Sequence, residues 1–358
     1  MELRENLVSF AKESLGLPHN APCELLEFQG RGSDRAYYRF RWGPDSSAIL
    51  VHYQTSRIEN TYYAEIARFL QANSIPVPQI YRHDPACCFI LMKDLGDTDL
   101  WSLRDLSWEL RRSLYQKTLR IVHRLHSHPE ALFPSGEVRL MDAFGPSLYR
   151  WERDYFKENF VGTLCSIQID PVFSSRLEAE LDGLASRFVM DQRCLVHRDL
   201  QSQNVMICDH EPFLIDFQGM RFGSRFYDLG SLLCDPYVRL SPEERKNLLA
   251  FYYGLSEPDR DWNQFQNAFW EASAQRLMQA LGAYGFLGIS RGLKSYLTHV
   301  PAAIRNLHAA AENAGSLPML LELTAMCESI VSDSKAEIPN EHSTRGAVGI
   351  RKPPGWGL

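Results

Sequence analysis

Two short segments of the sequence carry side chains suited to phosphoryl transfer. Residues 197–204 read His-Arg-Asp-Leu-Gln-Ser-Gln-Asn, and Ile-Asp-Phe follows at 215–217. Asp199 can accept the proton of an attacking hydroxyl, while Asn204 and Asp216 offer the hard oxygens that magnesium prefers. The order of these groups predicts a catalytic base at Asp199 and metal ligands at Asn204 and Asp216.

The flanking residues predict the elements that hold these groups. Three apolar runs are typical of short strands: 194–196, 205–208 and 213–215. Residues 209–212 favour a turn between the last two strands, and the resulting hairpin brings Asn204 and Asp216 to the same end, where they could share a cation. The alternative is a structural hairpin whose Asp and Asn side chains only complete turns.

Length and composition limit the classes of function. The chain has 358 residues, enough for two domains or one two-lobed body, and 38 basic against 44 acidic residues give a net charge of −6. That balance does not favour binding to a nucleic-acid backbone. The eight cysteines include no Cys-x-x-Cys pair, and no apolar stretch reaches the length of a membrane span. We therefore expect a cytoplasmic protein with a small-molecule substrate and neither a nucleic-acid nor a membrane partner.

The first quarter of the chain has the patterns of a small sheet. Helical spacing predicts a helix at 3–15, and a second, amphipathic helix runs from an Asn60 cap to about Ala72. Short β-type runs, the first three of them forming a meander, account for the rest: 24–28, 36–42, 48–53, 79–81 and 87–92.

The remainder of the chain reads as mostly helical. Helical patterns occupy four segments: 107–126, 242–254, 261–283 and 300–331. The change of pattern at 93–97 marks a joint between two lobes. We predict an α+β, two-lobed fold, with a small antiparallel sheet and one helix in the first lobe and helices in the larger one. The predicted bounds are 1–92 for the first lobe, 93–98 for the hinge, 99–332 for the larger lobe and 333–358 for a disordered tail.

Four groups of residues resemble the aminoglycoside phosphotransferase and choline kinase branch of the protein-kinase-like fold. They lie at 32–39, at 75–78 with 91–97, at 197–204 with 215–218 and 227–229, and at 275–282 with 296–297. Within that branch the sequence looks most like the bacterial kinases of N-acetylmuramate and N-acetylglucosamine. The resemblance implies ATP and Mg²⁺ as cofactors and transfer to the anomeric hydroxyl of an amino sugar in cell-wall recycling. It also implies that Asp228 braces the catalytic loop.

The resemblance further implies that 1–92 is the nucleotide-binding lobe, that 99–332 is the catalytic and substrate-binding lobe, and that the nucleotide site lies between them. Backbone N–H groups of a glycine-rich turn would face the phosphates, at Gly32, Ser33 and Asp34. Main-chain groups of the joint would hold the adenine, at Met92, Asp94 and Leu95.

One position departs from the protein-kinase pattern. The strand at 48–53, Ala-Ile-Leu-Val-His-Tyr, has no lysine for the nucleotide phosphates. Arginine can fork onto phosphate oxygens, so Arg35, Arg39 and Arg57 are candidates for the missing cation, and Glu65 could hold it in place. Each arginine could instead be a solvated surface charge.

Several alternatives stay open at this stage. The acceptor could be an aminoglycoside, choline or homoserine, and the missing lysine is also compatible with a pseudokinase that binds nucleotide without turnover. Arg221 could reach a carboxylate of the substrate. The aromatic and charged residues 151–156 could line a sugar pocket or form a buried helix face, and the spacing favours the second.

Overall fold

An antiparallel five-stranded sheet forms the first part of the computed structural model, which describes residues 2–28, 35–256 and 261–333. The strands pair in the order β1-β2-β3-β5-β4. Their bounds are Glu24–Phe28 (β1), Ala36–Gly43 (β2), Ser46–His52 (β3), Ile80–Asp84 (β4) and Phe89–Lys93 (β5). The predicted three-stranded meander is confirmed, with Tyr38 of β2 opposite Leu50 of β3.

Both faces of this sheet are buried at its central strands, β3 and β5. Successive side chains of a strand point to opposite faces, so Leu50 and Leu91 pack against α1 (Glu2–Leu15), whereas Ile49 and Ile90 join the larger core that includes α2 (Tyr63–Ala72). The sheet therefore packs against two helices, one on each face, and both lie where the sequence predicts a helix.

The second helix begins later than the sequence predicts. Asn60 lies inside a 3₁₀ turn, Ile58–Tyr62, and is not an N-cap. Its side-chain amide donates to the carbonyl oxygen of Gln54 at 3.0 Å, so it fastens the preceding loop instead of the helix terminus.

Helices make up most of the remaining described chain. Their bounds are Trp108–His126 (α3), Pro146–Phe156 (α4), Pro171–Met190 (α5), Arg225–Leu233 (α6), Pro242–Ser256 (α7), Trp262–Gly285 (α8), Val300–Ala314 (α9) and Pro318–Asp333 (α10). Two small antiparallel pairs complete the lobe: Cys194–Val196 (β6) with Arg221–Gly223 (β9), and Val205–Cys208 (β7) with Glu211–Leu214 (β8). Within the described ranges, no helix is both long and apolar enough to cross a bilayer.

The single helix predicted at 300–331 is wrong, because the segment forms α9 and α10. Gly315 caps α9 in the left-handed region at φ 67°, and Pro318 starts α10. The carboxylate of Glu180 accepts hydrogen bonds from the N–H groups of Met319 and Leu320 at 2.8 and 2.9 Å, which satisfies the first turn of α10. The predicted tail is described only at Asp333, and residues 334–358 lie outside the described chain.

Helix α8 is the central element of the helical lobe. It is buried over most of its length and packs against α4, α6 and α9. Its glycines allow close approach: a Cβ on Gly285 would lie 2.2 Å from the carbonyl oxygen of Asn159. Backbone packing at this point therefore requires glycine.

We expect Gly285→Ala to lower the free energy of unfolding by about 1–3 kcal/mol, because the added methyl group overpacks a backbone contact. Gly254 is the matched control, since it lies in α7 and a Cβ there would meet nothing within 4 Å. Gly254→Ala should raise the stability by about 0.5–1 kcal/mol through helix propensity. Urea unfolding of both variants measures the difference, and equal effects would contradict the packing explanation.

Candidate active site

The two segments singled out by the sequence contact each other. The loop 197–204 joins β6 to β7, and residues 215–218 follow β8. The N–H of Ile215 donates to the carbonyl oxygen of Asn204 at 3.0 Å, and Nε2 of His197 lies 2.9 Å from the carbonyl oxygen of Ile215. The predicted β7–β8 hairpin thus exists and brings the Asp199 loop beside Asp216.

Asp199 lies in a buried position between two arginines. Its side chain is about 10% exposed. Oδ2 accepts a hydrogen bond from Nη1 of Arg198 at 2.6 Å, and Nη2 of Arg276, on α8, is 3.6 Å from Oδ1. Opposite charges at these distances favour the ionised carboxylate, which is the form that can accept a proton.

The backbone of the loop is held by Asp228 of α6. Its Oδ2 accepts the N–H of His197 at 2.6 Å, and its Oδ1 accepts the N–H of Arg198 at 2.8 Å. Arg198 has a φ of 78°, a left-handed conformation that is unfavourable for residues with a Cβ atom. The two hydrogen bonds to one buried carboxylate hold it there, as the bracing role implied for Asp228 requires.

Asp228 is itself oriented by His126 of α3. Nε2 of His126 lies 3.1 Å from Oδ2 of Asp228, and Nδ1 lies 2.7 Å from the hydroxyl of Tyr252. Burial lowers the pKa of His126, which favours the neutral ring. In that state Nε2 carries the proton for Asp228 and Nδ1 accepts from the Tyr252 hydroxyl.

A second carboxylate, Asp235, holds the next turn of the loop. Its Oδ2 accepts from the N–H and Oγ of Ser202, at 2.8 and 2.6 Å, and its Oδ1 accepts from the N–H of Tyr237. Burial raises the pKa of Asp235, and these hydrogen bonds oppose that effect. The sequence patterns did not single out this residue.

Asn204 and Asp216 have the chemistry of a magnesium site completed by substrate. Nδ2 of Asn204 donates to the carbonyl oxygen of Asp199 at 2.8 Å, so its Oδ1, which accepts no hydrogen bond from the described residues, is the atom left for a cation. Asp216 has the left-handed φ of 61° and receives Nε2 of Gln218 on Oδ1 at 3.0 Å. No group of three or more His, Cys, Asp or Glu within the described residues could hold a metal alone. Two protein oxygens plus phosphates and water are nevertheless a common ligand set for Mg²⁺, so the residues fit this ion.

Arg35 is the candidate cation that the structure brings to Asp216. Its guanidinium forms an ion pair with Oδ1 of Asp216 and donates to Oε1 of Gln218 at 3.0 Å. The rings of Phe217 and Tyr63 stack nearby at 4.5 Å, which joins α2 to the same turn. Arg35 and Tyr63 of the first part of the chain therefore contact Asp216 and Phe217, through an ion pair and a ring stack.

Arg39 has different partners, at the joint between the sheet and the helices. Its Nε is 2.6 Å from Oδ2 of Asp94, and its Nη2 is 2.8 Å from Oδ1 of Asp97. Oδ2 of Asp94 also accepts from the hydroxyl of Ser47 at 2.8 Å. The structure thus uses Arg39 and the side chain of Asp94 to fasten this segment.

The other predicted nucleotide residues fall into two groups. Met92 lies on β5 and Leu95 follows it, and both side chains are buried. Gly32, Ser33 and Asp34 lie outside the described residues.

Glu65, the acid proposed to hold the missing cation, has a different partner. Glu65 forms a two-point ion pair with Arg139, at 2.6 and 3.1 Å, and no hydrogen bond joins it to Arg35, Arg39 or Arg57 among the described contacts.

Known proteins that are similar in sequence or fold include kinases and phosphotransferases. The N-acetylmuramate/N-acetylglucosamine kinase of Pseudomonas aeruginosa is 24% identical over 315 residues, which span 85% of this chain and 88% of that protein. A choline/ethanolamine kinase family protein from Mesorhizobium loti has a similar fold, with a TM-score of 0.58 at 15% identity over 90% of this chain and 99% of that one. The streptomycin–ATP complex of the aminoglycoside phosphotransferase APH(2″)-IIa has a TM-score of 0.53 at 17% identity, over 77% and 88% of the two chains.

These similarities confirm the resemblance and the kinase-like fold. The sequence model of the phosphotransferase enzyme family matches residues 24–265, from β1 to the start of α8. That span contains Asp199 with its loop, Asp216 and the bracing Asp228, so the match covers these residues as well as the sheet. The chain belongs to the phosphotransferase enzyme family, and it is a phosphotransferase.

Proposed function

We propose that the protein is an ATP- and Mg²⁺-dependent kinase that transfers the γ-phosphate to the anomeric hydroxyl of N-acetylmuramate or N-acetylglucosamine. The observation that carries the proposal is the Asp199 carboxylate, held by Arg198 and Arg276 in a loop that adjoins the Asp216 turn. A carboxylate beside metal-binding oxygens is the arrangement that phosphoryl transfer from ATP to an alcohol requires.

In this mechanism Asp199 orients the acceptor hydroxyl and takes its proton. Asn204 and Asp216 would hold Mg²⁺, which when bound neutralises charge on the β- and γ-phosphates. Arg35 lies on Asp216 and would contact the phosphates in place of the absent strand lysine. Catalysis then rests on positioning and on electrostatic stabilisation by charges that are already in place.

The choice of acceptor is supported by sequence relatives over nearly the whole chain. The Pseudomonas aeruginosa relative is named for N-acetylmuramate and N-acetylglucosamine, and the similarity extends through 85% of this chain. ATP as the donor is supported by the ATP complex of the fold neighbour APH(2″)-IIa. A kinase of this specificity would act on amino sugars released from the cell wall, so we place it in cell-wall recycling.

We further propose that the nucleotide binds between the sheet and the helical part. The joint at 93–98 would act as the hinge between a lobe at 1–92 and a lobe at 99–332, with adenine held by main-chain groups near Met92, Asp94 and Leu95. Supporting this, the N–H of Leu100 donates to the carbonyl oxygen of Val205 at 2.8 Å, which ties the end of the joint to the catalytic hairpin.

We expect ATP-dependent phosphorylation of the two amino sugars, measured by coupled ADP release and by mass of the product. Asp199→Asn should lower kcat by about 10²- to 10⁴-fold, because the base is lost while the side-chain shape is kept. Streptomycin, choline, ethanolamine and homoserine serve as comparison acceptors. Preference for one of these would overturn the sugar assignment, and equal negligible turnover of wild type and variant with every acceptor would favour a pseudokinase.

Removal of the divalent cation tests the metal site. Excess EDTA should abolish transfer, and added Mg²⁺ should restore it. Asn204→Ala should raise the Mg²⁺ concentration needed for half-maximal activity, because one of the two proposed protein ligands is lost. Gln203→Ala, one residue earlier, is the control. Full activity in EDTA would contradict a metal-dependent mechanism.

We expect Arg35→Ala to raise KM for ATP by about 10- to 100-fold, since a charge-assisted contact to phosphate contributes about 1.5–3 kcal/mol. Arg41→Ala is the matched control. Arg41 lies on β2, its side chain is exposed, and its ion pair with Glu24 is long, at 4.0 Å. Steady-state kinetics with ATP varied at saturating acceptor measures both. An unchanged KM for Arg35→Ala, with thermal unfolding as in wild type, would rule out Arg35 as the phosphate cation.

A further inference from the structure

Arg276 lies on α8, beyond the span that the family model matches, yet it contacts the proposed base. Its Nη2 is 3.6 Å from Oδ1 of Asp199, and its side chain is about 5% exposed. Arg198 contacts the other carboxylate oxygen at 2.6 Å. Each oxygen of the base is thus next to a cation, and the two cations come from different elements of the fold.

The contacts of Arg276 restrict it to this orientation. Its Nε donates to Oγ of Ser231 at 3.2 Å, and its Nη1 donates to Oε1 of Gln279, one turn further along α8. The guanidinium is planar, so two fixed nitrogens determine where the third points. With Nε held by Ser231 and Nη1 held by Gln279, Nη2 faces Asp199.

The packing of α6 on α8 brings Ser231 within reach of Arg276. A Cβ on Gly230 would lie 2.8 Å from Cα of Ser273, so the two helices approach more closely than a side chain at residue 230 would allow. Ser231 follows this contact on α6, and Arg276 lies three residues beyond Ser273 on α8. The same α6 also carries Asp228, which holds the backbone of the catalytic loop.

Stability alone does not account for this arrangement. Burying several charges costs desolvation, and replacing such groups by apolar residues is often neutral or stabilising. Glu152, a further buried acid, accepts from Tyr227 and Gln275 at 2.7 and 2.9 Å. Buried charge clusters of this kind are typical of functional sites.

We propose that Arg276 is a positioning residue, which fixes the rotation of the Asp199 carboxylate so that Oδ1 faces the acceptor hydroxyl. The inference rests on the proposed role of Asp199 as the base, and it deepens that proposal. Arg198 holds Oδ2 from within the loop, Arg276 holds Oδ1 from α8, and Ser231 braces Arg276 from α6. Displacement of a catalytic group by about 1 Å can cost on the order of 10²-fold in rate.

The kinetic test compares Arg276→Gln, Arg276→Lys and the control Arg187→Gln. Arg187 also pairs with an acid, Glu271 of α8, but lies half-exposed on α5. We expect Arg276→Gln to lower kcat by about 10²-fold with KM for ATP unchanged, and Arg276→Lys to recover about tenfold of that loss. Arg187→Gln should keep wild-type kinetics.

Combination with Asp199→Asn decides whether Arg276 acts through the base. If it does, Arg276→Gln should cause no further loss in the Asp199→Asn background, because the group that it positions is already absent. Multiplication of the two losses would show an independent action on the phosphate or acceptor and would overturn the proposal. Equal loss in Arg276→Lys and Arg276→Gln, with lowered thermal stability in both, would show a structural role only.

Crystal structures of wild type, Arg276→Gln and Arg187→Gln provide a readout that needs no acceptor. The Asp199 carboxylate should rotate or occupy more than one orientation only in Arg276→Gln, and a single wild-type orientation there would overturn the proposal. Ser231→Ala, which keeps the charge, serves if Arg276→Gln does not fold, and it should lower kcat by about fivefold. If wild type turns over no acceptor, the proposed function fails while these structures still test the positioning role.

Discussion

The hydrogen bonds from two successive loop amides to the Asp228 carboxylate are the interaction on which the site depends. Asp228 is fully buried, and it holds Arg198 in a left-handed conformation that the residue would not adopt alone. That conformation sets the direction in which the chain enters Asp199. The neutral His126 orients the carboxylate from α3, so three elements converge on one side chain. Loss of the Asp228 carboxylate would leave the N–H groups of His197 and Arg198 without these hydrogen bonds.

The same helical framework supplies each further support of the loop. Asp235, just after α6, holds Ser202, and Ser231 of α6 holds Arg276. The first part of the chain contributes through the ion pair of Arg35 with Asp216 and through the ring stack of Tyr63, on α2, with Phe217. Asp216 is therefore held from the first part of the chain, whereas Asn204 is held within the loop that carries Asp199.

Much of this site could be predicted because its chemistry is local in the sequence. Asp199, Asn204 and Asp216 lie within 18 residues, and the hairpin that joins them has ordinary strand and turn signals. The supports could not be predicted this way. His126 and Arg276 lie 73 and 77 residues from Asp199, and only packing of α3 and α8 brings them close. Periodicity also fails to show that Asn60 is not a helix cap and that the helical segment breaks at Gly315. Each of these features depends on contacts or on loop conformation, which the spacing of apolar residues does not record.

The ends of the family match divide the site into two parts. Residues 24–265 include Asp199, Asn204 and Asp216, the proposed base and metal ligands, together with Asp228 and Asp235, which hold the loop backbone. Arg276, Gln279 and the rest of α8 to α10 fall beyond that span. Phosphoryl transfer to different alcohols shares one chemistry but needs each hydroxyl at a different angle to the base. In the proposed mechanism, residues within 24–265 fix the backbone of Asp199, and Arg276 of α8 orients its carboxylate. Changes in α8 could then adapt the enzyme to a new acceptor without alteration of the loop that carries Asp199.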